Sequence, residues 1–189
     1  MKVSVGIDLG STTTKAVILD EQARVVGRGI TNSRSNYDVA CSIAREEAFV
    51  RARFTLAQNA LEQDPTLTGL GKAFLSSLGR AFRLHQHLDQ LEQLRAALQQ
   101  AAEAPRHESQ RAELRRRVDA IVDTLAARAP ELYGELAIRK SDFFRDLAAA
   151  EYMNLAQKHS DPKGVTFETL CGLFDAAILQ VENSRVCWP

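Results

Sequence analysis

Val3, Val5 and Ile7 alternate with Ser4 and Gly6, the period-two pattern of a strand with one buried face. Gly10-Ser11-Thr12-Thr13-Thr14 has the composition of a turn, and Ala16-Val17-Ile18-Leu19 is a short branched-chain run. Asp20-Glu21-Gln22 makes a second polar turn before Val25-Val26-Gly27-Arg28-Gly29-Ile30. Three runs at this spacing predict an antiparallel meander. From Asn36 onward the pattern becomes helical. Asp38 predicts an N-cap, Ala40–Leu61 contains no Pro or Gly, and Asp64-Pro65 predicts the stop.

Leu84, Leu88, Leu91, Leu94 and Leu98 step by three and four residues within a second helical stretch, 69–103. Leu114, Val118, Ile121 and Leu125 do the same within 108–128. Joined by Ala104-Pro105-Arg106, these two stripes predict an antiparallel helical hairpin. Residues 131–158 predict more helix, with Phe143-Phe144 and Tyr152 as core or docking aromatics. A loop over 159–164 precedes a last amphipathic helix at 166–182, carrying Phe167, Leu170, Phe174, Ile178 and Val181. The chain is therefore α/β, with nearly all of the helix after residue 38.

Charge narrows the function classes. Lys+Arg and Asp+Glu both number 24, so no net field favours nucleic acid or an anionic membrane. No run reaches the roughly 18 apolar residues of a bilayer span. Cys41, Cys171 and Cys187 are odd in number and widely spaced, which gives neither a disulfide framework nor a C-x-x-C pair. A cytoplasmic protein is the expectation. His85 and His87 lie two apart on a helix, pointing to different sides, and are expected as solvated polarity rather than a metal pair. Arg111, Arg115, Arg116 and Arg117 are interspersed with Glu108 and Glu113, as on a solvated face, and Cys41 and Cys171 are expected as buried thiols.

The chemistry concentrates in Gly6-Ile7-Asp8-Leu9-Gly10-Ser11-Thr12-Thr13-Thr14-Lys15. A carboxylate at the end of a strand needs a charge partner when buried, and Mg²⁺ with its retained waters is one. Gly10 lets backbone approach a ligand closely. Ser11, Thr12, Thr13 and Thr14 place successive N–H groups and hydroxyls in a tight turn suited to phosphate oxygens, and Lys15 adds a point charge at its edge. The pattern is neither G-x-x-x-x-G-K-[ST] nor G-x-G-x-x-G, because the turn joins two strands and no helix starts after it. Arg34-Ser35-Asn36-Tyr37-Asp38 is a polar corner that fits either function or helix capping by Asn36 or Asp38.

Gly6–Lys15 resembles the first phosphate motif of the acetate kinase/sugar kinase/Hsp70/actin superfamily. Extended through Ala16-Val17 and Gly27–Asp38, it is similar to the ATPase subunits of benzoyl-CoA reductase. Ser141-Asp142-Phe143-Phe144-Arg145-Asp146 and Val181-Glu182-Asn183 look like later parts of the same subunit. The resemblance implies an RNase H-like (actin/Hsp70-type) lobe with a long helical-hairpin insertion: the meander and first helix over 1–65, the insertion over 66–158, and a truncated return segment over 159–189.

It also implies ATP hydrolysis coupled to low-potential electron transfer for benzoyl-CoA ring reduction. Asp8 would be the catalytic carboxylate and hold the Mg²⁺ shell, while Gly10, Ser11, Thr12, Thr13, Thr14 and Lys15 would bind ATP. Implied partners are a second ATPase subunit, cluster- and substrate-binding reductase subunits, and ferredoxin as electron donor; no nucleic acid or membrane partner is expected. A 4Fe–4S cluster is implied, but its ligands are not identifiable in this chain. After residue 158 there is no second Asp-x-Gly hairpin and no Gly-Gly turn, so the chain reads as the N-terminal part of such a subunit, with weak or absent ATP turnover alone. The alternatives are a non-catalytic helical scaffold, an activator of a 2-hydroxyacyl-CoA dehydratase, or a sugar-kinase-like phosphotransferase.

Overall fold

The computed structural model describes residues 2–33, 36–64 and 66–184, which divide into a first unit within Met1–Gly79 and a second, Arg80–Ser184. The first unit opens with the expected meander. Strands β1 (Ser4–Leu9), β2 (Thr13–Leu19) and β3 (Val25–Asn32) form one antiparallel sheet in the order β1-β2-β3. The register sets Asp8 opposite Lys15 and Ile7 opposite Ala16, and Ala16 in turn opposite Gly29. Alternation does the rest. Thr14, Ala16 and Ile18 of β2 are buried on one face, while Thr13, Lys15 and Val17 point to the other.

The buried face is covered by α1 (Tyr37–Glu62), which brings Ala40, Ala44, Ala48 and Ala52 around at four-residue steps. Ala44, Ala48 and Ala52 form one apolar cluster with Ala16, Ile18 and Val26. Helix and sheet meet with little between them. A Cβ on Gly29 would lie 2.0 Å from the Ala44 carbonyl oxygen, and one on Gly27 would lie 2.2 Å from that of Ala48. β1 sits at the sheet edge with all six residues exposed, and no described residue pairs with its outer side. Val5, Ile7 and Leu9 lie on the α1 side of that edge and stay 39–52% exposed.

The cap of α1 corrects one expectation. Asn36, not Asp38, is the N-cap: its side chain accepts from the Val39 N–H at 3.2 Å, and Asp38 falls in the first turn. There a carboxylate favours the positive end of the helix dipole without capping it. Asn36→Ala is expected to cost about 1 kcal/mol and Asp38→Ala only a few tenths, measured by urea denaturation. Of the polar corner, Arg34 and Ser35 lie outside the described residues, as does Pro65.

The second unit is helical. α2 (Thr68–Ala102) enters it from Arg80 onward and packs against α3 (Arg111–Arg128) after a short 3-10 turn, Pro105–Gln110. Arg95 reaches Asp119 and Asp123, while Glu103 reaches Arg111 and Arg115, so the helices run antiparallel, as the two leucine stripes require. The remaining arginines are internally engaged as well. Arg116 and Arg117 hydrogen-bond Glu113 and hold its carboxyl down at about 2, and Arg117 also donates to the His159 carbonyl.

Residues 131–158 are not one helix. A 3-10 turn, Ala129–Tyr133, ends where Gly134 adopts an extended backbone, and α4 begins only at Phe144, running to His159. Pro130 and Gly134 interrupt the ladder, and the intervening segment is tied down by polar contacts instead. Arg139 stacks over the Tyr133 ring at 4.8 Å and bonds Asp142 at 3.1 Å, while the Phe143 N–H donates to Ser141 Oγ. α5 (Phe167–Asn183) closes the core, capped by Thr166. Tyr152 is fully buried, with its hydroxyl donating to the Leu170 carbonyl at 3.1 Å and its ring 4.6 Å from Phe174. Among the described residues no helix is long and apolar enough to cross a membrane.

Candidate functional site: the β1–β2 hairpin

The β1–β2 turn closes on Gly10. Its N–H donates to the Thr13 carbonyl at 3.1 Å, and a Cβ on Gly10 would sit 2.7 Å from that same oxygen, so the turn closes this tightly only around glycine. Ser11 and Thr12 form the exposed tip. Their amides and hydroxyls have no hydrogen-bond partner among the described residues, so they are donors available to a ligand. Asp8 and Lys15 lie directly across the strand pair, on the face of the sheet away from α1, and both are exposed. Neither forms an ion pair with a described residue, so both charges also face solvent.

Thr13 shares the face of Lys15, two residues on. Thr14 points the other way: it is fully buried, and its hydroxyl lies 2.9 Å from Ser33 Oγ. Ser33 follows the end of β3 and reaches the turn with three contacts. Its N–H donates to the Thr12 carbonyl at 2.8 Å, its Oγ donates to the Gly10 carbonyl at 2.5 Å, and its Oγ meets Thr14. The structure thus brings Asp8, Gly10, Ser11, Thr12, Thr13 and Lys15 together around one exposed tip, with Thr14 beneath it. Ser33 lies within the stretch that carries the family resemblance, but nothing in the sequence marks it as part of the turn.

The opposite turn of the meander is purely structural. Asp20 is buried at the β2–β3 turn and accepts from the Gln22 and Arg24 N–H groups and from the Arg24 guanidinium. Burial pushes its carboxyl up, and the Arg24 and Gln22 hydrogen bonds outweigh that and hold it below its usual range. Ala23, at φ 59°, supplies the left-handed residue of this turn.

Other candidates stay apart from this tip. An open depression of about 230 Å³ beside β1 is lined by Ile7, Asp38, Cys41, Ser42 and Arg45, below the usual size of a small-molecule site. Cys171 is partly buried against Met153, and burial with nearby Asp175 and Glu168 raises its thiol, disfavouring the thiolate that metals bind. His87 departs from the solvated expectation: it is buried, with its ring 5.7 Å from Tyr133 and 5.3 Å from Phe144. Its neighbours come from segments more than forty residues away, which spacing along one helix cannot reveal.

The donor set fits Mg²⁺-bound phosphate better than a cluster. Mg²⁺ needs few protein carboxylates when phosphates and water complete its shell, and Asp8 stands beside unpartnered amides. A 4Fe–4S cluster takes four thiolates, and the described residues contain two cysteines, Cys41 and Cys171, with no group of three or more metal-binding side chains. Cys187 lies outside the described residues.

No curated protein and no solved structure matches the chain. The model of the BadF/BadG/BcrA/BcrD ATPase family matches residues 5–137, a stretch that begins in β1 and takes in the β1–β2 turn, β2, β3 and the helices α1, α2 and α3. With more than two thirds of its length inside that match, the chain belongs to the BadF/BadG/BcrA/BcrD ATPase family.

Proposed function

We propose that the chain binds ATP at the β1–β2 hairpin, as part of a subunit that couples ATP hydrolysis to low-potential electron transfer in a benzoyl-CoA reductase-type complex. Membership in an ATPase family of the actin/Hsp70-like superfamily supports the nucleotide half of this reading. The observation that carries it is the tip itself: Ser11 and Thr12 offer unpartnered donors beside an exposed Asp8 and Lys15.

In this reading the Ser11 and Thr12 N–H groups and hydroxyls donate to terminal phosphate oxygens, and Lys15 balances their charge from the neighbouring strand. Asp8 holds waters of the Mg²⁺ shell. The metal supplies charge neutralisation on the phosphates when bound. The electron-transfer half rests on the family resemblance of residues 5–38 and 141–146. A second ATPase subunit, reductase subunits carrying the 4Fe–4S cluster and the acyl-CoA, and ferredoxin are its partners.

Calorimetric titration with Mg-ADP tests the nucleotide half. Wild type is expected to bind, with Thr12→Ala and Asp8→Ala each weakening affinity about tenfold or more. Absence of heat from wild type at millimolar nucleotide would overturn it and leave the helical-scaffold reading. Recovery of an iron–sulfur partner with the tagged chain tests the electron-transfer half separately.

A further inference from the structure

We infer that Ser33 is the positioning residue of the phosphate-binding turn, and that Thr14 serves the site through Ser33 rather than by touching phosphate. The inference rests on the hairpin being the nucleotide site and assigns roles within it.

Proton counting fixes the direction of the relay. A hydroxyl has one proton to give. Ser33 Oγ gives its proton to the Gly10 carbonyl, so the 2.9 Å contact with Thr14 must be a hydrogen bond donated by Thr14. Thr14 therefore has no proton left for an anion, and it is fully buried. An ordered chain runs Thr14 Oγ1–H to Ser33 Oγ–H to Gly10 C=O, and such chains polarise one another.

Peptide planarity then decides what the tip presents. In a trans peptide the C=O and the following N–H point in opposite directions. The Gly10 carbonyl is held toward Ser33 Oγ, so the Ser11 N–H is turned away from Ser33. The Thr12 carbonyl is held toward the Ser33 N–H, so the Thr13 N–H is turned away as well. Ser33 thus orients one tip donor, the Ser11 N–H, through its hydroxyl, and fixes the peptide plane after Thr12 through its backbone N–H. It also occupies the two carbonyl oxygens that would otherwise repel a phosphate. Without the Ser33 hydroxyl the Gly10–Ser11 peptide plane loses its anchor, while the Ser33 N–H still holds the Thr12 carbonyl.

The test compares Ser33→Ala and Ser33→Thr with wild type in two measurements on the full chain. Amide exchange by NMR, without nucleotide, is followed at Gly10 and Ser33, the hydrogen-bonded N–H groups of the turn, and is expected to accelerate in Ser33→Ala and to stay near wild type in Ser33→Thr, which keeps the hydroxyl. Calorimetry with Mg-ADP is expected to show affinity about tenfold weaker in Ser33→Ala and restored in Ser33→Thr. Unchanged exchange in Ser33→Ala overturns the inference whether or not nucleotide binds. Faster exchange with undiminished affinity overturns the positioning role while leaving the nucleotide site standing. Failure of wild type to bind Mg-ADP overturns the site itself, and with it the role assigned to Ser33.

Discussion

Gly29→Ala is expected to destabilise the first unit by about 3 kcal/mol or more, a large fraction of the total stability of a small domain. The added methyl would lie 2.0 Å from the Ala44 carbonyl oxygen and 2.7 Å from the Ala48 nitrogen. Both are backbone atoms of α1, so no rotamer change relieves the overlap. The helix must instead lift from the sheet, which uncovers Ala16 and Ile18 and opens the cluster they share with Ala44 and Ala48. Gly6→Ala is the matched control. It lies on exposed β1 with nothing within 4 Å of the added carbon, so its change in stability should stay within about 0.5 kcal/mol. Urea denaturation followed by circular dichroism, with amide exchange to assign the loss to β2 and β3, checks both. A Gly29→Ala protein as stable as wild type would mean that α1 does not pack this closely.

The second unit is expected to lose stability as the pH falls from about 7 to 4, and His87 is the reason. Burial, with a smaller contribution from the nearby Arg139 charge, lowers its pKa from 6.5 to about 4. The unfolded chain binds the proton below about pH 6.5, but the folded one does so only near 4, so acid favours unfolding throughout that window. Stability is complete above the unfolded value and levels off again below the folded one. The shift corresponds to about 2–3 kcal/mol across the window. Tyr133 and Phe144 pack against the ring, and Arg139 lies over Tyr133, so no described carboxylate contacts the imidazole to compensate a positive charge. His87→Leu should remove most of the slope between pH 7 and 5. The difference between the two proteins' urea midpoints isolates this group from the carboxylates that titrate lower. Parallel slopes in wild type and variant would exclude His87 as the cause.

The strands, the long helices and the candidate turn were legible because each is encoded locally. Val5 and Ile7 alternate with glycine and serine, four branched or small residues mark β2, and leucine steps mark α2 and α3. What stayed hidden depends on distant contacts. Asn36 and Asp38 are equally good caps by type, and only the position of the Val39 N–H separates them. The break between Tyr133 and Phe144 is held by Arg139 and Ser141, and polar anchoring of that kind leaves no apolar period to read. The same holds at the site. The hairpin's glycine, hydroxyl-rich tip and Asp8 stand within one ten-residue window, whereas Ser33 enters the turn from 23 residues beyond Gly10. The helical hairpin was expected from its stripes and is present. Its standing as an insertion within a larger lobe is a matter of resemblance alone.

β1 bears on how the molecule behaves in bulk. An edge strand whose outer N–H and C=O groups pair with no described residue, flanked by Val5, Ile7 and Leu9, is the kind of surface on which identical strands join. Asp8 is its one charged residue, so like-charge repulsion offers little colloidal protection there. Encounters between such edges rise with the square of concentration, and the apolar part of their attraction strengthens on warming. Monodispersity of the isolated chain is therefore governed at this strand, and dilute, cool solutions are where it is best preserved.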